Sequence, residues 1–306
     1  MMRSVEIVEV GPRDGLQSEP GIMPTAAKIV FIERLLAAGL RRIEVASFVN
    51  PKRVPQMADA EQVLAGLAKR PDVHYVGLVL NRKGFDRAVA AGCNEIGMAV
   101  VASDTFNRRN QGVGTDESIA AWLDIARAAR TAGLRAQVTV SAAFGCPFEG
   151  EMPLERVVDV ARRCAEAEPF EIALADTIGV GVPAQVTELV AAVRAAISPV
   201  TRLRAHFHNT RNTGLANAWA AVQAGVTTLD ASTGGIGGCP FAPAATGNIP
   251  TEDLVYMLAR AGYATGVDLD ALIATSQWLQ DTLGRAVPGM LVKAGNFPRI
   301  AAERAA

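Results

Sequence analysis

The sequence predicts a (β/α)8 barrel, the TIM-barrel class, with an extra C-terminal helix. Short β-branched runs alternate with Ala-rich amphipathic stretches along almost the whole 306-residue chain. Eight such strand–helix units occupy about 260 residues, near the usual ~250 for this barrel. Several of the stretches end in Ala-Gly (38–39, 91–92, 132–133, 224–225), as helices do when a glycine C-cap precedes the next strand. The turn after the first strand, Gly11-Pro12-Arg13-Asp14-Gly15, lacks the Gly-rich dinucleotide pattern of a doubly wound open sheet, the competing class.

Taken in order, VEIVEVG at 5–11 reads as the first strand and 25–39 as the first helix, starting near Pro24-Thr25. RIEVASF at 42–48 and a helix at 56–69 follow, then HYVGLVL at 74–80 with a helix at 83–91. EIGMAVV at 95–101 leads to a helix at 116–132 begun by Thr115-Asp116, and AQVTVSA at 136–142 to one at 153–167. FEIALAD at 170–176 precedes a helix at 184–197, and LRAHFHN at 203–209 one at 212–224. VTTLDA at 226–231 is the eighth strand, with its helix at 251–262 after Thr251-Glu252. No linker, charge run or low-complexity stretch divides the chain, so residues 1–306 are expected to form one domain. The barrel covers about 5–262 and a helical extension about 263–306, in which a helix at 268–284 has no strand partner.

Half of the residues are hydrophobic and a fifth charged, enough for a substantial core, and 30 basic residues against 31 acidic ones leave a net charge of −1. That balance argues against nucleic-acid binding, which needs clustered Lys and Arg to neutralise phosphates. Cysteines 93, 146, 164 and 239 form no Cys-x-x-Cys spacing and no disulfide framework, which points to a reducing cytoplasm. No apolar run reaches the ~18–20 residues of a membrane span, and the N-terminus carries neither a signal-peptide nor a transit pattern. A cytoplasmic location is the expectation.

Histidine is used three times, and two of the three, His206 and His208, stand two residues apart in a strand. Residues i and i+2 of a strand share a face, so the two imidazoles project side by side as half of a coordination site. A hydrogen-bonded pair in a polar barrel interior is the competing reading. Barrel enzymes build their sites at the C-terminal ends of the strands, where this sequence also carries Arg13, Asp14, Glu44, Asp176 and, beyond the eighth strand, Asn248. Asp14 with His206 and His208 is an oxygen–nitrogen ligand set without thiolate, which suits Mg²⁺ or Mn²⁺ better than structural zinc, and Asn248 could add a carbonyl oxygen. Glu44, Asp176 and Arg13 form an acid/base network around it, in which Arg13 can stabilise an enolate or hold a carboxylate. Ion pairs with barrel arginines are the alternative for the two acids. Five glycines between 234 and 247 surround Cys239 in a loop suited to moving over the barrel mouth, without the Lys-Ser/Thr of a phosphate loop. Cys146, in Gly145-Cys146-Pro147-Phe148, echoes that setting without the flanking glycines.

The segments VGPRDGLQ (10–17), SFVNPK (47–52), GCPFEG (145–150), ADTIGVG (175–181) and GGCPFAP (237–243), with Gly247-Asn248 and TEDLVYML (251–258), resemble 3-hydroxy-3-methylglutaryl-CoA (HMG-CoA) lyases in order along nearly the whole chain. The resemblance implies a metal-dependent retro-Claisen lyase acting on an acyl-CoA, as in leucine degradation, and a homodimer. It implies Asp14, His206, His208 and Asn248 as ligands of Mg²⁺ or Mn²⁺ and no organic cofactor. It further implies Arg13 as the enolate-stabilising group, Cys239 as a mobile acid/base thiol, Glu44 and Asp176 as acid/base residues, and Glu252 in support. Asn209, directly after the histidine pair, departs from the lyase pattern, as does the absence of a lysine after Gln17-Ser18-Glu19-Pro20, and Arg211-Asn212 then occupy a stretch whose side chains could influence the pocket. These departures leave open a lyase for another 3-hydroxyacyl-CoA, or a Claisen-type synthase running the condensation. Lys52-Arg53 and Arg108-Arg109 are candidate holders of the CoA phosphates.

Overall fold

In the computed structural model, which describes residues 3–238 and 247–298, ten strands are present. They are β1 (Arg3–Ser4), β2 (Glu6–Glu9), β3 (Arg42–Ser47), β4 (His74–Val79), β5 (Glu95–Val101), β6 (Arg135–Ser141), β7 (Glu171–Asp176), β8 (Arg202–Phe207), β9 (Thr228–Ala231) and β10 (Tyr263–Ala264). Strands β2 to β9 close into a parallel barrel in sequence order, with β2 returning to β9 in the register Glu6↔Thr228 to Glu9↔Ala231. This is the (β/α)8 barrel that the alternation predicts. The helices follow the strands by the expected chemistry. Arg82–Ala91 starts where Asn81 Oδ1 accepts a bond from Gly84 N at 2.9 Å and ends at Gly92, whose φ of +96° suits glycine.

Four elements differ from the sequence expectation. The first strand stops at Glu9, because Pro12 has no N–H to continue a ladder and the chain coils into a five-residue turn, Gly11–Gly15. The helix expected over 56–69 is shorter, a 3₁₀ turn at Pro55–Met57 and then Ala60–Ala65. An unforeseen helix, Asp104–Gln111, is capped by Ser103 Oγ on Phe106 N at 3.1 Å; with one apolar residue in eight it shows no hydrophobic period. The C-terminal extension contains more than a helix: β10 pairs with β1, and Leu269–Leu283 is followed by a short helix, Leu291–Ala294.

Two kinds of interior result. Between strands and helices lies an apolar layer that includes Phe31, Ile43, Trp122 and Leu174, all essentially inaccessible. Inside the barrel, where such folds are commonly filled by branched apolar residues, charges pair instead. Arg42 meets Glu95 at 2.5 Å and Glu171 at 2.9 Å, and Arg204 reaches Asp230 at 3.3 Å and Glu171 at 3.5 Å. Removing one partner of such a buried pair costs about 3–5 kcal/mol, so this network fixes the inward residues of β3, β5, β7, β8 and β9 relative to one another. Among the described residues no helix is long and apolar enough to cross a membrane.

Candidate active site

At the C-terminal ends of the strands a cavity of about 650 Å³ opens, and its walls include Arg13, Asp14, Glu44, His206, His208 and Asp230. The turn after β2 delivers the first two. Val10 O accepts from the amides of Arg13 (3.2 Å), Asp14 (2.7 Å) and Gly15 (3.2 Å), which winds the chain tightly over the barrel rim. Arg13 Nη1 then donates to Asp14 Oδ1 at 2.6 Å and Nε to Glu44 Oε2 at 2.8 Å. One guanidinium therefore holds two carboxylates, one from its own turn and one from β3.

His206 comes from β8 and His208 from the residue just past its end, still extended and bridged to Asn248, with ring centroids 5.1 Å apart. His206 Nδ1 donates to Asp230 Oδ2 at 3.1 Å, across the β8–β9 pairing that sets His206 opposite Asp230. That bond fixes the tautomer and leaves the lone pair on Nε2. Asn248 reaches the pair through the backbone: the segment 247–249 docks on the end of β8, with Asn209 N donating to Gly247 O at 2.8 Å and Ile249 N to Phe207 O at 3.2 Å. Asn248 Nδ2 donates to Asp14 Oδ2 at 2.9 Å and to Ile236 O at 3.1 Å.

Ligand atoms of Asp14, His206 and His208 lie within 4.8 Å of one another, a grouping that can hold a metal ion. Two further observations fit a cation here. Among the described residues Asn248 Oδ1 is buried without a hydrogen-bond partner, as is His208 Nδ1, although buried polar atoms are paired as a rule. The donor set, two borderline imidazoles with hard oxygens and no thiolate, can take a divalent ion such as Mn²⁺ or Mg²⁺.

The electrostatics divide the groups into roles. Burial would raise the Asp14 carboxyl, but Arg13, the two histidines and the Asn248 amide outweigh it and hold the group down at about 2. Burial raises Glu44 above the usual carboxylate range, and the opposing pull of Arg13 does not overcome it. Two carboxylates sharing one arginine are thus pushed apart, a recurrent way of separating acid and base. His208 is pushed down to about 4 by burial and by His206 beside it, so at neutral pH it is an uncharged donor. His206 moves the other way: burial lowers it, and Asp230 and Asp14 more than compensate.

Other expected residues stand elsewhere. Asp176 shares the outward face of β7 with Ile172 and Leu174, and its oxygens accept from Val180 N and Gly181 N, each at 2.9 Å. The structure does not bring its carboxylate into the cavity; the flanking Ala175 and Thr177 line it instead. Glu252 accepts from Gly234 N at 3.0 Å at the root of the glycine-rich loop, away from the cavity wall. Cys239 lies outside the described residues, and Gly238 before it lines the cavity. Cys146 is buried beside Phe106 and Ile178, its thiol 3.0 Å from Ser103 Oγ. Asn209, which departs from the lyase pattern, and Arg211 and Asn212, read as able to influence the pocket, do not line it. Asn209 Oδ1 accepts from Gly214 N at 3.1 Å and Arg211 Nη1 donates to Gly179 O at 2.9 Å, so both serve loop structure.

Two residues escaped the sequence reading. Asp230 was legible as the one acid among the inward positions of β9, at the strand end where sites are built. Glu9, on the outward face of β2 with Ile7, looks solvated in sequence. It is fully buried and accepts from Gly11 N, Thr233 N, Thr233 Oγ1 and Thr251 Oγ1 at 2.7–2.9 Å.

A (β/α)8 barrel with a carboxylate–histidine cluster able to hold a metal ion and a half-buried arginine at its C-terminal rim is the architecture of a barrel enzyme. Within that class the chain belongs to the HMGL-like family, whose profile matches residues 4–279, and it is a carbon–carbon lyase of that family. It is 46% identical over 310 residues to the (R)-citramalyl-CoA lyase of Chloroflexus aurantiacus, with 98% of each chain covered. It is 44% identical over 292 residues to the mitochondrial hydroxymethylglutaryl-CoA lyase of Bos taurus, covering 95% of this chain and 90% of that one. Among solved structures, an HMG-CoA lyase from Bacillus subtilis superimposes with a TM-score of 0.92 at 40% identity, over 95% of this chain and 98% of the other. An HMG-CoA lyase from Acinetobacter baumannii, in complex with coenzyme A and 3-methylmalate, does so with 0.91 at 43%, over 97% and 98%.

Proposed function

We propose that this protein is a hydroxymethylglutaryl-CoA lyase, cleaving 3-hydroxy-3-methylglutaryl-CoA to acetoacetate and acetyl-CoA. The observation that carries the reading is the Asp14–His206–His208 cluster with the orphaned Asn248 carbonyl, set in one cavity with Arg13 and Glu44. Held by these four residues, Mg²⁺ or Mn²⁺ would supply Lewis acidity toward the substrate's hydroxyl and carboxylate oxygens.

The chain's own groups account for the rest. The C3 hydroxyl loses its proton, the C2–C3 bond breaks to leave the ketone of acetoacetate, and the electron pair passes to the acetyl-CoA enolate. Glu44, buried on the cavity wall against Arg13, is the carboxyl placed to accept the hydroxyl proton. Arg13 offers the developing enolate oxygen a charged donor already aimed by Asp14 and Glu44. Cys239, one residue beyond the cavity-lining Gly238, protonates the enolate carbon. Asp176 and Glu252 act as positioning residues, the first for the loop after β7 and the second for the root of the glycine-rich loop.

A second reading is supported by the relative named (R)-citramalyl-CoA lyase, at 46% identity. Citramalyl-CoA has the same tertiary alcohol with one methylene fewer before the carboxylate, and the same bond cleavage yields pyruvate and acetyl-CoA. Incubation with each thioester in Mg²⁺ or Mn²⁺, followed by product analysis, tests both. Equimolar acetoacetate and acetyl-CoA from the first substrate is the expected result. Pyruvate from the second with the first untouched selects the shorter substrate, and cleavage of neither overturns the lyase reading.

A further inference from the structure

We propose that Arg53 forms a phosphate subsite at the mouth of the cavity and takes a phosphate of the substrate's coenzyme A moiety, an inference that rests on the acyl-CoA reading above. Three cationic side chains line the cavity: Arg13, Arg53 and Arg204. Arg13 is committed to Asp14 and Glu44, and Arg204 to Asp230 and Glu171. Among the described residues Arg53 has no carboxylate within ion-pair distance, so its guanidinium is the one lining cation left to meet an anion. Such a group matches phosphate through paired donors and is only weakly hydrated, which suits a partly open site.

The platform beneath it is fixed. Asn50 O accepts from Arg53 N at 2.9 Å and from Val54 N at 3.1 Å, closing the turn that carries the side chain. Gln56 then ties the segment to the rest of the rim: its Nε2 donates to Glu19 O at 2.9 Å, and its carbonyl accepts from the buried Lys28. The other candidate cations are placed less well. Arg108 is bound to Asp104 at 2.8 Å, Arg109 lies over the Phe148 ring at 4.1 Å, and neither they nor Lys52 line the cavity. With the acyl group at the Asp14–histidine cluster, a nucleotide entering the same cavity has Arg53 as its unpaired cation.

The test compares a CoA thioester with the pantetheine thioester of the same acyl group, which lacks the nucleotide. Arg53→Ala should raise KM for the CoA thioester about tenfold, the size of one partly exposed charged contact, with kcat unchanged, and leave the pantetheine substrate unaffected. Arg53→Lys should recover part of the loss. An equal KM change for both substrates, or none for either, overturns the subsite. Calorimetric binding of free coenzyme A separates this inference from the lyase reading. Binding weakened about tenfold in Arg53→Ala supports the subsite even if no thioester is cleaved, and a wild-type protein that does not bind coenzyme A overturns it.

Discussion

Asn248 donates from its amide nitrogen to Asp14 Oδ2 at 2.9 Å, joining the last loop of the barrel to the turn after its first strand. This bond closes the candidate metal site as β2–β9 pairing closes the sheet, and it aims the remaining Asn248 oxygen. Asn248→Ala should therefore reduce Mn²⁺ affinity roughly 10- to 100-fold, the range for lost supporting groups around metals. His208→Ala should reduce it at least as much. Titration of Mn²⁺ without substrate reads both, and unchanged affinity in either removes that residue from the ligand set.

Asp230→Asn tests the partner of His206. The variant keeps shape and loses the charge that fixes the His206 tautomer, while Arg204 loses one of its carboxylates. The expected result is a roughly 10-fold or larger fall in Mn²⁺ affinity or activity, together with a lower Tm. An Asp230→Asn protein with wild-type metal titration would show that the bond only packs.

Asp176→Asn should act on stability and loop order before chemistry. One of its oxygens becomes an amide facing an N–H donor, so a hydrogen bond to Val180 or Gly181 is lost, at about 1–3 kcal/mol for a buried unmet donor. The pH–rate profile should keep its shape while Tm falls. A pKa displaced in that profile would return Asp176 to the acid/base chemistry.

Glu252 gives the fold a pH dependence with a definite sign. Burial pushes its carboxyl up to about 8 from an ordinary 4.5. Its folded form binds the proton more tightly than the unfolded chain, so its contribution is fully present below pH 4.5 and is lost as pH rises through about 8. Across that window stability should decline by up to about 1.4 kcal/mol per pH unit from this group. Glu252→Gln should flatten the decline in urea melts taken between the two limits. A slope identical to wild type would place the titration elsewhere.

Cys239→Ser should keep Mn²⁺ affinity and lose most turnover, since serine holds its proton far more tightly at the enolate quench. Wild-type kcat in Cys239→Ser would remove the thiol from the mechanism. As controls, Cys93 and Cys164, both pushed up to about 12 by burial, should resist alkylation in the native protein.

The barrel was legible because its signals are local and repeated: eight apolar runs, each followed by an Ala-rich stretch and four of these by Ala-Gly. His206 and His208 were legible as a pair through the strand period, and Asp14 and Asn248 through their places beyond strand ends. What escaped was whatever depends on which face a residue takes at the rim. Glu9 and Asp176 lie on outward faces, where only tertiary contact distinguishes a buried acceptor of backbone amides from a solvated acid or a catalytic one. Asn209 attracted notice by departing from a pattern and Arg211 by standing beside it, yet the turn after β8 directs both away from the cavity. The short strands β1 and β10 carry two residues each, too few for any period to register.

The C-terminal extension reaches back to the rim at several points. Arg285 pairs with Glu19 in the segment after Asp14, Gly289 N donates to Gly234 O at 3.0 Å, and Asp253 accepts from Met290 N and Leu291 N. Cutting the chain at residue 262 would leave all eight barrel strands and remove every one of these braces, along with β10. A closed sheet and a braced rim are therefore different lengths of polypeptide here: the sheet is finished at Ala231, but the contacts that hold its rim run on to Leu291.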